Sequence, residues 1–254
     1  RLQLASVHAT VLDLDSGDLL FEKRADHSVP IASLTKLMTA MVVLDSGADP
    51  DERLEILGWA EKPPNNGWSR LRIGSRARRD DLVRIALMSS ENLATHVLAQ
   101  HHRGGFEAFA AAMNAKAAAL EMTASTFVEP SGLDPGNRAS AGDLARMVRA
   151  AHGYARIREY PTTRVHEVRF EGPRYRLRYG NTNPLIADPR WPVVLSKTGY
   201  LGEAGRCLAL VSEVAGRPVL MAFLNAFGSR TPLGDAGRVH RWLTTGSGGG
   251  VAGP

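Results

Sequence analysis

Apolar residues recur along the chain in two different patterns, and the pattern changes twice. Near the start, segments 8–13 and 19–23 have strand-like composition and are separated by a polar turn, which predicts a β-hairpin. Apolar residues then recur at helical spacing between Leu37 and Leu44. We therefore expect a helix that begins near Ser33 and buries this stripe.

The middle of the chain is predicted to be mostly helical, and strand patterns return after it. Ser140 followed by Asp143 resembles a capping box at the start of a helix. Strand-like runs at 207–214 and 218–225 are joined by Ala215-Gly216 and predict a second hairpin. The other predicted helices are 80–88, 93–100, 106–120 and 233–243, and the other predicted strands are 165–170, 175–179 and 193–196.

Strands at both ends with helices between them predict an α+β fold. We expect one antiparallel sheet built from both chain ends and flanked by helices, with an inserted helical subdomain. In this prediction residues 1–245 form a single domain, with a sheet region at about 5–50 and 160–245 and the helical insert at about 51–159. The glycine-rich tail 246–254 is expected to be flexible. A cleft between sheet and insert is the natural place for a site.

Composition removes several function classes. The 254 residues can bury one substantial core, and no apolar run is long enough to span a membrane. The net charge of +5 comes mostly from scattered arginines, so we do not expect a nucleic-acid partner. The single cysteine, Cys207, excludes an internal disulfide, and the histidines do not repeat at metal-ligand spacing. We predict no cofactor and no metal site.

Ser33 and Lys36 are the first candidate catalytic pair. Residues three apart on a helix are surface neighbours, so the Lys36 amine can reach the Ser33 hydroxyl. A desolvated lysine near a helix start can be neutral and can take the serine proton during attack. The backbone N–H of Ser33 can then help to hold an oxyanion. Alternatively, Ser33 is only a helix cap and Lys36 a solvated surface lysine.

Ser90-Glu91-Asn92 interrupts two predicted helices and is the second candidate. Such a break places a hydroxyl and an amide on an irregular corner. There Ser90 can relay a proton between Lys36 and a leaving amine, while Asn92 holds the lysine or a substrate amide. The alternative is that Ser90 caps the helix that follows and Asn92 closes the turn.

Lys197-Thr198-Gly199 is the third candidate and is predicted to follow the strand 193–196. A strand edge offers backbone groups to an extended peptide, and Lys197 offers charge for a carboxylate. Thr198 offers a hydroxyl, and Gly199 lets a ligand backbone approach closely. The alternative is an ordinary exposed turn.

The three motifs together resemble those of the penicillin-recognising serine enzymes. Further segments extend the likeness over about residues 5–245 to the D-alanyl-D-alanine carboxypeptidase and endopeptidase family of low-molecular-mass penicillin-binding proteins. Within it the chain is most similar to the endopeptidase branch, penicillin-binding proteins seven and eight. The segments that carry the resemblance are 30–40, 87–92, 113–117, 127–133, 181–183 and 195–200.

The resemblance implies a β-lactamase/transpeptidase-like fold and a periplasmic enzyme that cleaves peptide cross-links in peptidoglycan. It also implies an acyl-enzyme on Ser33 and inhibition by β-lactams. The enzyme is expected to lack the further β domain and anchor of larger relatives, and to be at most loosely associated with the membrane. The roles carried over are Lys36 as base, Ser90 and Asn92 as relay and substrate contacts, Lys197, Thr198 and Gly199 on the substrate side, and the N–H groups of Ser33 and Tyr200 as oxyanion hole.

One departure from the family and two rival functions remain. Leu201 stands where relatives often have a threonine, which leaves the grip on a substrate carboxylate open. A serine β-lactamase would use Glu129 to activate water against the acyl-enzyme. A non-catalytic wall-binding or β-lactam-sensing protein is the second rival, although this chain keeps all the motif residues.

Overall fold

A five-stranded sheet takes its strands from both ends of the chain. The computed structural model describes residues 1–60 and 67–247, and the predicted flexible tail lies outside the described residues from position 248 onward. All neighbouring strands pair antiparallel, in the order β2-β1-β11-β10-β9. These strands are β1 (His8–Asp13), β2 (Leu19–Lys23), β9 (Val193–Leu201), β10 (Gly205–Val214) and β11 (Arg217–Ala226). The predicted antiparallel sheet from both chain ends is confirmed.

The central strands are buried on both faces. Along β10, Ala209 and Val211 pack into one apolar cluster, while Leu208 and Leu210 pack into another. Successive side chains of a strand point to opposite faces, so a nearly continuous apolar run has to be covered on both sides. One face is covered by helix α5 (Ala141–His152) and the other by helix α7 (Thr231–Thr245), which produces a layered α+β arrangement.

The helices lie mostly between the two groups of strands, as the sequence pattern predicts. Helix α1 is buried from Thr35 to Val43 and contacts several other helices, so it is the central helix of the helical part of the molecule, although it precedes the predicted insert in sequence. A helix that is apolar on all sides belongs in a core, and Lys36 is carried into that core with it. The helices are α1 (Thr35–Asp45), α2 (Arg79–Met88), α3 (Asn92–Gln100), α4 (Gly105–Ala119), α5 (Ala141–His152), α6 (Ala155–Glu159) and α7 (Thr231–Thr245).

Among the residues that the structure describes, six short strands form three separate ribbons. The predicted strands 165–170 and 175–179 pair with each other and do not join the main sheet, which corrects their assignment to it. Apart from Val165 and Gly180, their exposed positions carry charged side chains, so this hairpin buries only one face. The ribbon strands are β3 (Val29–Pro30), β4 (Arg53–Glu55), β5 (Arg76–Arg78), β6 (Arg138–Ala139), β7 (Val165–Phe170) and β8 (Tyr175–Gly180).

Three local predictions can be compared directly. Both hairpins of the main sheet are confirmed, and the Ser140 side chain accepts a hydrogen bond from Asp143 N as a helix cap. Strand β9 does not end at Ser196, because its pairing with β10 continues to Leu201. The Lys197–Gly199 motif therefore lies within an edge strand and not in a turn after it.

In the described residues, no helix is both long enough and apolar enough to cross a membrane. Helices α2 to α5 fall inside the range 51–159, where the helical insert is expected. The domain limits themselves stay a prediction.

Candidate active site

Ser33 lies in a short 3-10 turn that leads directly into α1. The turn covers Ala32–Leu34, and the α-helix follows from Thr35. Ala32 has φ +48°, a left-handed conformation that costs a non-glycine residue about 1–3 kcal/mol. The peptide is held there by Gly132, where a Cβ would lie only 2.0 Å from the Ala32 carbonyl oxygen. Tertiary packing, and not helix propensity, therefore fixes the bond that precedes Ser33.

The Lys36 amine is fully buried and has three hydrogen-bond partners. Nζ lies 2.8 Å from Ser33 Oγ, 2.8 Å from Asn92 Oδ1 and 2.6 Å from the Ser131 carbonyl oxygen. The predicted contact between serine and lysine is therefore present, and the alternative of a solvated surface lysine is wrong for Lys36.

Burial lowers the pKa of Lys36 to about 8, against the negative charges of Glu129 and Glu91, which raise it. The partner set suits the neutral amine. Asn92 Oδ1 and the Ser131 carbonyl can only accept, so they take the two remaining N–H bonds. The lone pair then faces the hydroxyl of Ser33, which can reverse its role and donate. The arrangement provides a base in contact with a nucleophile.

The helix break at 90–92 divides its polar groups between two lysines. Asn92 begins α3 and contacts Lys36, whereas Ser90 Oγ accepts a hydrogen bond of 3.0 Å from Lys197 Nζ. Glu91 is the cap of α3, because its side chain accepts from Ala94 N. The alternative role of Ser90 as helix cap is therefore wrong. Ser90 itself has φ +58°, a second strained residue at this site.

Lys197 is as buried as Lys36 but has fewer partners. Its side chain is 1% exposed, and its amine donates to Ser90 Oγ and to the Thr198 carbonyl oxygen, both at 3.0 Å. Burial and the nearby charge of Lys36 hold the pKa of Lys197 well below its usual value. The structure thus directs Lys197 toward Ser90.

The remaining motif residues face the open side of the crevice. Thr198 Oγ1 lies 2.7 Å from Thr182 Oγ1, and Tyr200 is 56% exposed. A Cβ on Gly199 would lie 3.1 Å from Ser33 N, so this glycine allows strand β9 to lie against the nucleophile turn. Strand β9 and the turn that carries Ser33 are thereby brought side by side.

An open groove of about 780 Å³ joins these groups. Its lining includes two arginines that the sequence reasoning did not single out, Arg206 and Arg230. The Arg206 guanidinium stacks on the Tyr200 ring at 3.9 Å from its centroid. Because Arg206 is opposite Tyr200 in the β9–β10 register, extending the predicted strand 193–196 would have found it. Leu201 is buried and offers no polar group.

Sequence reasoning also missed the loop that follows the Glu129-Pro130 pair. It supplies the Ser131 carbonyl to Lys36 and packs Gly132 against Ala32. The one signal for it in the sequence is the resemblance of segment 127–133 to the family. In residues 1–60 and 67–247, no three His, Cys, Asp or Glu side chains are grouped to hold a metal ion.

A family model described as D-alanyl-D-alanine carboxypeptidase matches residues 1–228. The chain belongs to this family. The D-alanyl-D-alanine endopeptidase of Pseudomonas aeruginosa is 45% identical over 244 residues, covering 96% of this chain and 79% of the relative. The enzyme of the same name from Escherichia coli is 40% identical over 245 residues, with the same shares covered. The family predicted from the motifs is confirmed.

Solved structures agree with this assignment. A Streptomyces DD-transpeptidase superposes with a TM-score of 0.89 at 23% identity, covering 96% of this chain and 98% of that one, which shows the fold alone. A Listeria monocytogenes penicillin-binding protein in its cefotaxime-bound form gives a TM-score of 0.83 at 26% identity, covering 96% and 99%. The predicted β-lactamase/transpeptidase-like fold of this D-alanyl-D-alanine carboxypeptidase family member is confirmed.

Proposed function

We propose that this family member is a serine DD-peptidase that cleaves D-alanyl peptide cross-links in peptidoglycan through an acyl-enzyme on Ser33. The observation that carries the proposal is the contact of 2.8 Å between Ser33 Oγ and the buried amine of Lys36. The endopeptidase reaction is preferred over the carboxypeptidase reaction because the relatives at 45% and 40% identity are named endopeptidases. The periplasm is the compartment in which we expect it to meet this substrate.

In the proposed acylation step, Ser33 Oγ attacks the carbonyl carbon of the D-alanyl peptide bond and passes its proton to Lys36 Nζ. The backbone N–H groups of Ser33 and Tyr200 hold the oxyanion that forms. The C–N bond then breaks, and the leaving amino group takes the proton back from Lys36. Ser90, whose hydroxyl is held by Lys197, is the proposed relay between Lys36 and the leaving group. Water completes the cycle by the reverse route, which frees Ser33.

The substrate is expected to add to strand β9, because this strand is the edge of the sheet and lines the groove. Thr198 supplies a hydroxyl next to that edge. Arg206 and Arg230 line the groove and supply positive charge for a substrate carboxylate. In this proposal they take the role of the threonine that relatives often have at the position of Leu201.

Glu129 is poorly suited to the β-lactamase reaction. Its carboxylate is buried, and both oxygens already accept hydrogen bonds from its own loop and from His96. Burial alone would raise the pKa of Glu129, but hydrogen bonds from His96 and Ser131 outweigh it and hold the pKa at about 2. So weak a base, with no free lone pair, does not activate water well, and we favour slow loss of a penicillin adduct.

The experiment digests purified cross-linked muropeptide dimers and identifies the products by mass. Monomers released by the parent and absent with Ser33→Ala support the proposal. Equal release by the variant would overturn the nucleophile assignment. Labelled penicillin provides the second arm. A persistent adduct together with cleavage of the dimers supports a peptidase, and rapid turnover of the penicillin supports the β-lactamase. A persistent adduct without cleavage supports a β-lactam-sensing protein, and absence of both supports a wall-binding protein.

A further inference from the structure

Outside the three motifs, the carboxylate of Glu129 accepts more hydrogen bonds than any other side chain of the described residues. Glu129 is 8% exposed, and each of its two oxygens accepts three hydrogen bonds. All six donors belong to the loop that contains it or to helix α3. Those on Oε2 are His96 Nε2 at 3.2 Å, Ser131 N at 2.7 Å and Ser131 Oγ at 2.5 Å, and those on Oε1 are Gly132 N at 2.5 Å, Asn137 Nδ2 at 2.6 Å and Asp134 N at 3.3 Å.

Two residues that donate hydrogen bonds to Glu129, Ser131 and Gly132, also contact Lys36 and the turn that carries Ser33. The Ser131 carbonyl receives a hydrogen bond of 2.6 Å from Lys36 Nζ. Gly132 lies so close to the Ala32 carbonyl that a Cβ there would come within 2.0 Å of it. The loop is also fastened to α1 by Thr39, whose hydroxyl donates to the Pro130 carbonyl oxygen at 2.7 Å. One carboxylate thus organises the contacts of the loop with both base and nucleophile turn.

We propose that Glu129 is a positioning residue for acylation, acting through the Ser131 carbonyl on Lys36 and through Gly132 on the peptide before Ser33. The inference rests on the proposed function of the same site. It gives the glutamate a role other than the activation of water.

His96 supports this carboxylate from the neighbouring helix. Its ring is packed between Trp59, at 4.6 Å between centroids, and Phe106, at 5.2 Å. Its Nδ1 is buried and has no hydrogen-bond partner among the described residues. A ring with the proton on Nε2 satisfies the Glu129 contact and leaves only an acceptor unpaired. The aromatic packing therefore fixes the His96 ring in the position where Nε2 meets Glu129 Oε2.

The negative charge of Glu129 affects the pKa of Lys36, and a purely structural role would leave that pKa unchanged. The titratable groups around Glu129 are His96 on α3 and Lys36 on α1, with Glu91 also close to Lys36. The negative charge of Glu129 raises the pKa of Lys36 against burial. If that charge is removed, the pKa of Lys36 falls below about 8, and the acid limb of the acylation profile moves to lower pH. Misplacement of Lys36 also lowers the plateau, which is the acylation rate constant at a pH where Lys36 is fully neutral.

The test uses the whole chain and measures the second-order rate constant for acylation by a labelled penicillin across pH, per titrated active site. Glu129→Gln places an N–H₂ group among three donors, so we expect the plateau to fall by about 100-fold. Glu129→Asp keeps the charge, so its midpoint should stay near that of the parent although its plateau falls. Glu213→Gln makes the same chemical change at an exposed carboxylate on β10 and should behave as the parent.

A second variant covers the case in which Glu129→Gln does not fold. His96→Phe fits the aromatic surroundings and removes one of the six donors, and we expect a plateau lower by about fivefold with an unchanged midpoint. The proposal is overturned if Glu129→Gln keeps the parent plateau and midpoint or, where that variant is unfolded, if His96→Phe acylates at the parent rate. A parent that is not acylated at all overturns the proposed function, and this inference with it.

Discussion

The two walls of the crevice each bury a lysine, and they treat it differently. On the helical wall, Lys36 Nζ has three oxygen partners and two carboxylates nearby that raise its pKa against burial. On the sheet wall, Lys197 has two oxygen partners, and its charged neighbour is Lys36 itself. Burial lowers both pKa values, but only the helical wall compensates.

The difference separates two tasks. A base works best when its pKa lies near the working pH, and an amine with a pKa of about 8 can both take and return a proton. Burial and the charge of Lys36 also lower the pKa of Lys197, but its amine donates to Ser90 and the Thr198 carbonyl, whereas the amine of Lys36 contacts Ser33. Lys36 is therefore expected to set the pH dependence, and Lys197 to position Ser90.

Removal of the Lys36 amine should have the largest effect. In Lys36→Met, no base contacts Ser33, and we expect the acylation rate constant for a labelled penicillin to fall by about 1,000-fold. Lys116→Met is the matched control, because Lys116 forms a partly exposed ion pair with Asp45 away from the crevice. A fall of less than tenfold for Lys36→Met would contradict the assignment of Lys36 as the base.

The next largest effect is expected from Gly132→Ala, which puts a Cβ into the Ala32 carbonyl. The loop and the nucleophile turn must separate, so acylation should fall by about 100-fold. Gly74→Ala is a close control, since Gly74 has φ +86° against +85° for Gly132 but nothing within 4 Å of its added Cβ. Equal loss of acylation and of melting temperature in both variants would mean that only the backbone conformation matters.

Lys197→Met sharpens the comparison between the walls. We expect the plateau of the acylation rate to fall by about tenfold, because Ser90 loses its donor, while the midpoint stays near that of the parent. The measurement is the pH profile of both proteins under the same conditions. A midpoint that moves as far as in Glu129→Gln would show that the two lysines titrate as one system.

The smallest effect should come from Thr182→Val, which removes the hydroxyl partner of Thr198 at the open end of the crevice. One hydrogen bond is worth about 1 kcal/mol, so we expect a loss of about fivefold in acylation. Thr244→Val, at an exposed position on α7, serves as control. If Thr182→Val is acylated at the parent rate, the Thr182 hydroxyl makes no contribution to acylation.

The sequence predicted the contacts that are local in the chain. Ser33 and Lys36 are three residues apart, so one helical turn is enough to join them. The contact of Lys36 with the Ser131 carbonyl spans 95 residues and depends on a loop without periodic pattern, which no local rule predicts. Ser90 was expected to serve Lys36, but its hydrogen bond comes from Lys197, because the side chains of β9 reach across the crevice.

Dependence on local sequence pattern also explains why strand β9 was predicted to end at Ser196, five residues too early. The polar residues and glycine of Lys197–Gly199 interrupt the apolar pattern after Ser196. The ladder with β10 nevertheless continues to Leu201, because backbone hydrogen bonds do not depend on side-chain polarity. Arg206, opposite Tyr200 in that ladder, was missed for the same reason.

The central claim is that a neutral Lys36 activates Ser33, and the pH dependence of acylation by a labelled penicillin tests it most directly. Because the pKa of Lys36 is lowered to about 8, the protonated amine predominates below that pH and the neutral amine above it. The rate constant should therefore rise about tenfold per pH unit up to about pH 8 and level off above. A rate constant that is unchanged between about pH 6 and 9 would contradict the account.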